Sequence, residues 1–90
     1  GGVAGHAGLF SNALDLAVLM QMNLQNGYYG GQKYLLPGTI SNFTKQHFEK
    51  NRRGLGWDKP EPAGNGPTSD FASPNTYGHT GFTGTAVWVD

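Results

Sequence analysis

Thr76-Tyr77-Gly78-His79-Thr80-Gly81-Phe82-Thr83-Gly84-Thr85 is the stretch on which the reading of this chain turns. Glycine falls at every third position, Gly78, Gly81 and Gly84, with an imidazole and threonine hydroxyls in between. A flexible linker has no use for Tyr, Phe and Thr, which fit a pleated, half-buried surface. The spacing predicts a strand over Tyr77 to Gly81, a turn at Phe82-Thr83-Gly84 and a returning strand from Thr85 to Val89. In the return, Thr85, Val87 and Val89 alternate with Ala86 and Trp88. Glycines inside a strand mark places where another backbone or a substrate passes closely.

Working outward, the chain closes at Asp90 on a strand that reads as half-buried. An unpaired edge there predicts at least one more strand in a longer parent. Upstream, Lys59 to Pro74 holds four of the five prolines and predicts a long surface loop over 59–75. Gly54-Leu55-Gly56-Trp57-Asp58 predicts a short strand anchored by Trp57. Pro37 suits the first position of a second helix, about 38–50, with Ile40 and Phe43 one turn apart. His47, at i+4 from Phe43, reads as a half-buried surface histidine. Tyr28 to Leu35 predicts a hairpin about Gly30-Gly31. A first helix, about 12–26, has Ser11 as its expected N-cap, Asp15 in its first turn and Asn26-Gly27 as its stop. Leu14, Leu16, Ala17, Val18, Met20 and Leu24 cover more than half of its circumference, which predicts burial on several sides. Gly1 to Phe10 is glycine-rich and apolar, with His6 its only ionisable side chain, and reads as buried backbone. The fold class expected is α+β: antiparallel strands with packed helices.

The totals restrict function. Six basic and six acidic residues cancel in a chain of 90, and no basic block exceeds Arg52-Arg53, so nucleic acid is a poor candidate partner. No apolar run approaches the roughly 18 residues of a membrane span. Cysteine is absent, which removes disulfides, a thiol nucleophile and cysteine metal sites. The start at Gly1-Gly2-Val3 suggests a processed product, a cloning boundary or a fragment, and the modest hydrophobic content, 37%, predicts part of something larger.

The chemistry-bearing residues are few. A small phrase occurs twice, as Gly5-His6-Ala7-Gly8-Leu9 and as Gly78-His79-Thr80-Gly81-Phe82. His6, His47 and His79 have no metal-ligand spacing, so no metal site and no cofactor is expected. No Gly-x-Ser-x-Gly elbow is present. Asp58, Glu61 and Asp70 lie in or beside the loop, where carboxylates are normally solvated. What remains is the glycine stretch as a binding wall: Gly81 admits a substrate backbone, the Phe82 N–H faces an oxygen, and Thr80 and His79 supply hydrogen bonds. The bland alternative is an ordinary hairpin with His79 solvated.

Four phrases in order resemble the C-terminal half of the serine β-lactamase and penicillin-binding-protein-like hydrolases, especially the esterase and class C-like branch. They are Gly5-His6-Ala7-Gly8-Leu9-Phe10-Ser11, Tyr29-Gly30-Gly31-Gln32-Lys33, Gly54-Leu55-Gly56-Trp57-Asp58, and Tyr77 to Thr85 with Trp88-Val89-Asp90. Within that group the chain is similar to bacterial modules joined to family 3 glycoside hydrolases. The resemblance implies that residues 1–90 are the C-terminal part of one such domain. His79-Thr80-Gly81 matches the form in which the family's Lys-Thr-Gly strand motif carries histidine. By that likeness His79, Thr80 and Gly81 bind substrate, Phe82 offers one N–H of the oxyanion hole, and His6 lies at the cleft rim. Loss of the lysine implies a shift from β-lactam or D-Ala-D-Ala recognition toward ester or peptide-like substrates.

The family's nucleophile motif, Ser-x-x-Lys, does not occur: Ser41 to Lys45 is one residue too long. Ser73-Pro74-Asn75 lies only four residues before His79 and reads as a turn. Nucleophile and base are therefore expected from a missing N-terminal part of the same domain, with a small-molecule or peptide-like substrate as the other partner. This chain alone is expected to be inactive. The likeness also suggests a periplasmic or secreted protein. The competing readings are a non-catalytic β-lactamase-like binding or structural module and an independent 90-residue binding domain.

Overall fold

In the computed structural model, residues 2–4 and 6–90 are described. Gly1 and Gly5, two glycines of the N-terminal segment, lie outside them. The elements run α1 (Ala13–Leu24), β1 (Tyr28–Tyr29), β2 (Gln32–Lys33), α2 (Pro37–Thr44), β3 (Tyr77–Thr80) and β4 (Ala86–Val89). They form an α+β arrangement of two helices and two antiparallel strand pairs, β1–β2 and β3–β4.

Helix α1 is capped by Asn12, not by Ser11 as the sequence suggested. The Asn12 side-chain oxygen accepts the Asp15 N–H at 2.9 Å, and its amide donates to the Asp15 carboxylate at 3.1 Å. Aspartate in the first turn also suits the positive end of the helix dipole. The helix ends at Leu24, short of residue 26. Asn26 turns left-handed (φ 58°), and the N–H groups of Asn26 and Gly27 return to Asn23 O and Met22 O at 3.0 and 2.9 Å. This pairing satisfies carbonyls that a helix end otherwise leaves open. Burial around α1 is narrower than its apolar circumference predicted: only Asn23 is buried, and Leu14 and Leu24 face outward.

The β1–β2 hairpin turns on Gly30 and Gly31, both at positive φ (58° and 79°), with Tyr29 opposite Gln32. Two consecutive positive φ values give the two-residue turn whose twist matches the strands. Pro37 starts α2, but the helix stops at Thr44 and does not continue through Lys50. The carbonyl that residue 47 would need is taken: Phe43 O accepts the Leu55 N–H at 2.8 Å. His47 is exposed, not half-buried, and its Nε2–H donates to Asn42 O at 2.6 Å. The returning backbone approaches so closely that a Cβ on Gly54 would overlap Phe43 O.

Residues 54–58 form no strand. Gly54 N–H bonds Trp57 O at 3.0 Å across Gly56, which sits at φ 78°, so the segment is a turn. Its last residue, Asp58, pairs with Gly78 through two backbone bonds of 2.7 and 3.0 Å. The 59–75 stretch contains neither helix nor strand.

The core is small. Ile40 of α2 and the cross-strand pair Tyr77 and Val89 are the buried apolar side chains among the described residues. Trp57 meets Tyr77 edge-on with ring centroids 5.2 Å apart, a favoured aromatic geometry. The segment before α1, expected to be buried, is exposed from Val3 to Phe10 apart from the undescribed Gly5. No described helix is long and apolar enough to cross a membrane.

Candidate active site

The β3–β4 hairpin pairs Tyr77 with Val89, Gly78 with Trp88, His79 with Val87 and Thr80 with Ala86. Beyond the last pair, Gly81 N–H bonds Thr85 O at 2.7 Å and Gly84 N–H bonds Gly81 O at 3.1 Å. The turn is thus Phe82-Thr83-Gly84, closed by Gly84 at φ 95°, a value glycine adopts without strain.

Each of the other two glycines has a packing reason. A Cβ at Gly78 would run into Val87 O and the Trp88 indole, so the ring lies directly over that glycine. At Gly81 the neighbour is Thr85 Oγ1. The room that the sequence reading kept there for a substrate backbone is partly filled by the chain's own hydroxyl.

The side chains of His79 and Thr80 are exposed, as is Phe82 at the tip. Among the described residues the Phe82 N–H donates no hydrogen bond. His79 is held from both ends. Its Nε2 lies 3.1 Å from Arg53 Nη1 and its Nδ1 lies 2.6 Å from Thr80 O. A guanidinium can only donate and a carbonyl can only accept. The two partners therefore assign one neutral tautomer, with the proton on Nδ1 and the lone pair of Nε2 toward Arg53.

Behind Arg53 stands Asp58, which the sequence reading left solvated. It is 4% exposed. Arg52 grips its carboxylate with two bonds, Nε to Oδ1 at 2.7 Å and Nη2 to Oδ2 at 3.0 Å, and the Lys59 N–H adds a third at 2.8 Å. Such forked pairing is the strong form of a carboxylate contact. Arg53 Nη2 approaches Oδ2 at 3.7 Å, and Glu61 reaches the far side of Arg52 at 3.4 Å. The hydrogen bonds from Arg52, reinforced by the Lys59 N–H and both guanidinium charges, hold the Asp58 carboxyl below its ordinary range against the opposing effect of burial. The result is an alternating line, Glu61, Arg52, Asp58, Arg53, that ends at His79.

A second cluster ties down the start of β3. Thr76, 2% exposed, donates its hydroxyl to Asp90 at 2.6 Å, and the Ser73 N–H reaches the same oxygen at 3.3 Å. Hydrogen bonds from Ser73 and Thr76 hold the Asp90 carboxyl below its usual range. Buried Lys59 donates to Thr76 O at 3.1 Å, and burial lowers its pKa.

His6, expected at the cleft rim, is exposed and forms no hydrogen bond with the His79 strand or with any other described residue. Among the described residues, no group of three or more His, Asp or Glu side chains is placed to hold a metal ion. A groove of about 710 Å³ runs between α1 and β4 past Leu16, Met20, Ala86 and Trp88, and does not include His79, Thr80 or Gly81. Arg53 is the site residue that sequence reasoning missed. Its only local signal is its place beside Arg52, just before the Gly-Leu-Gly-Trp-Asp turn.

A family model described as Beta-lactamase matches residues 1–90, the whole of the sequence. The chain belongs to the beta-lactamase family. Relatives from Salmonella paratyphi B, Salmonella newport and Salmonella heidelberg, each named "Putative D-alanyl-D-alanine carboxypeptidase", are 50% identical over 91 residues. The match covers 100% of this chain and 21% of each relative, so the chain spans about a fifth of their length. No solved structure matches. This beta-lactamase-family chain thus has a partial α+β fold of a serine-hydrolase family.

Proposed function

We propose that this chain is the C-terminal part of a serine hydrolase domain that works through an acyl-enzyme, and that β3 with its turn is one wall of the acyl-transfer cleft. The observation that carries the reading is the open Phe82 N–H at the turn, directly after the exposed His79 and Thr80 side chains. A serine hydroxyl from the rest of the domain attacks the substrate carbonyl. Its proton passes to a base from that same part, and the carbonyl oxygen becomes an oxyanion. The Phe82 N–H donates to that oxyanion, and one such donor contributes about 10²–10³ in rate. The tetrahedral centre expels the leaving group with a proton, and water then hydrolyses the acyl-serine. Thr80 Oγ1 and His79 line the path of the substrate. Without a nucleophile the chain alone is inactive. The relatives' name makes an acyl-D-alanyl-D-alanine peptide the first substrate to try, with esters and β-lactams as alternatives.

The exposed apolar residues support the partial-domain reading. Val3, Leu9, Phe10 and Phe82 are exposed, while only three apolar side chains are buried among the described residues. Large apolar side chains left open to solvent are what a piece of a larger domain presents.

The test uses the intact gene product with a fluorescent β-lactam and a fluorophosphonate, read by intact mass. Wild type forms a covalent adduct. Phe82→Pro, which removes the N–H, slows acylation by about 10²–10³, whereas Phe82→Ala keeps the donor and acylates near the wild-type rate. Absence of any adduct in wild type rejects the enzyme reading in favour of a non-catalytic module.

A further inference from the structure

A histidine where the family's strand motif has lysine leaves position 79 without a permanent charge. The fold brings one back from elsewhere. Arg53, 26 residues earlier in the chain, sets Nη1 3.1 Å from His79 Nε2. Its ion pair with Asp58 is long and leaves guanidinium donors free. The Asp58 carboxylate already takes two bonds from Arg52, and Arg53 stands off at 3.7 Å with its side chain 47% exposed. A guanidinium has five N–H donors, and Arg53 spends few of them inside the chain.

We propose that Arg53 is the positioning residue of the His79 strand: it occupies the Nε2 lone pair and brings to position 79 the fixed positive charge that a neutral histidine lacks. The inference rests on the acyl-transfer reading for its substrate consequence, and on geometry alone for the contact. Two results follow. First, His79 is not the base of the reaction, because its only free lone pair is turned to a permanent cation and its other nitrogen donates to Thr80 O. Second, preference for substrates with an anionic leaving group resides in Arg53 and not in His79, because a charged donor facing a carboxylate is stronger than a neutral one. On this reading the preference moves back toward an anionic group, where the missing lysine alone implied ester or peptide-like substrates.

Asp58 makes the arrangement rigid. Its backbone is bonded to Gly78, the residue before His79, while its carboxylate gathers both arginines. Strand position and guanidinium are thus both referred to the same residue.

Two measurements on the intact gene product test this. Side-chain ¹⁵N NMR of His79 reports the Nδ1–H tautomer in wild type. In Arg53→Gln the Nδ1–H tautomer stays, held by the Thr80 carbonyl, but the Nε2 resonance moves to that of an imidazole nitrogen without a cationic donor, and Arg53→Lys keeps the wild-type shift in part. In parallel, kcat/KM is compared for an acyl-D-alanyl-D-alanine and the same peptide with its carboxylate amidated. The preference for the free acid falls at least about tenfold in Arg53→Gln, through KM more than kcat, and recovers partly in Arg53→Lys. An unchanged His79 Nε2 shift in Arg53→Gln, or an unchanged preference for the free acid, overturns the proposal. A wild type that turns over neither peptide rejects the acyl-transfer reading, and the NMR experiment still decides the Arg53–His79 contact.

Discussion

The same phrase, Gly-His-small-Gly-apolar, occurs at Gly5 to Leu9 and at Gly78 to Phe82, and the two copies have different fates. In the second, Gly78 lies under Trp88 and is bonded to Asp58, and His79 is held by Arg53 and Thr80. In the first, His6, Ala7, Gly8 and Leu9 are exposed, and His6 has no hydrogen-bond partner among the described residues. A short motif does not make a site by itself. What converts the second copy is long-range pairing from residues 52–58, which supplies both backbone and charge.

The comparison breaks most sharply at Gly78. Gly78→Val drives a branched side chain into Val87 O and the Trp88 ring, and lowers stability by about 3 kcal/mol in thermal unfolding of the intact gene product. A variant as stable as wild type means that the hairpin is not built on that contact.

Asp58→Asn comes next. It keeps the shape and removes the charge that holds two arginines, at a cost of about 2 kcal/mol at neutral pH. The pH dependence has a definite sign. The folded-state carboxyl is below its ordinary value, so its stabilising effect is complete above the unfolded value of about 4 and fades as pH falls from there toward the folded pKa. Wild type and Asp58→Asn should therefore converge in acid. A gap that stays constant down through the carboxylate range removes the charge from the explanation. Smallest is His6→Ala, which changes stability by less than about 0.5 kcal/mol if the first copy is as unsupported as it looks. A loss matching that of His79→Ala would show that the N-terminal phrase has found its own partners.

Local signals were enough wherever local chemistry decides. The Gly30-Gly31 turn, the Asn26-Gly27 stop and the strand–turn–strand alternation from Tyr77 to Val89 were all readable, because backbone conformation at those points depends on the residues themselves. Competition from distant segments was not readable. Residues 45–50 have reasonable helix composition, yet Leu55 takes the Phe43 carbonyl and the helix ends. Asp58, next to a proline-rich loop, reads as solvated because nothing nearby says that Gly78 will bond its backbone and Arg52 its carboxylate. The Arg53–His79 contact is the clearest such case, since charge recovered across 26 residues leaves no trace in the spacing of either one. At Ser11-Asn12 two good caps stand side by side, and only the geometry of Asp15 chooses between them.

The loop between Lys59 and Thr76 has a consequence of another kind. Its two ends are fastened to each other by the Lys59–Thr76 bond and, one step further out, its approach and exit are joined by the Asp58–Gly78 pair. Closing a longer loop between ends already held together costs only about 0.6 kcal/mol for each doubling of its length. Evolution, or an engineer, can therefore lengthen, shorten or exchange this segment while the hairpin beneath it keeps its geometry. The region is a natural insertion point, where new recognition can be grafted beside an unchanged wall.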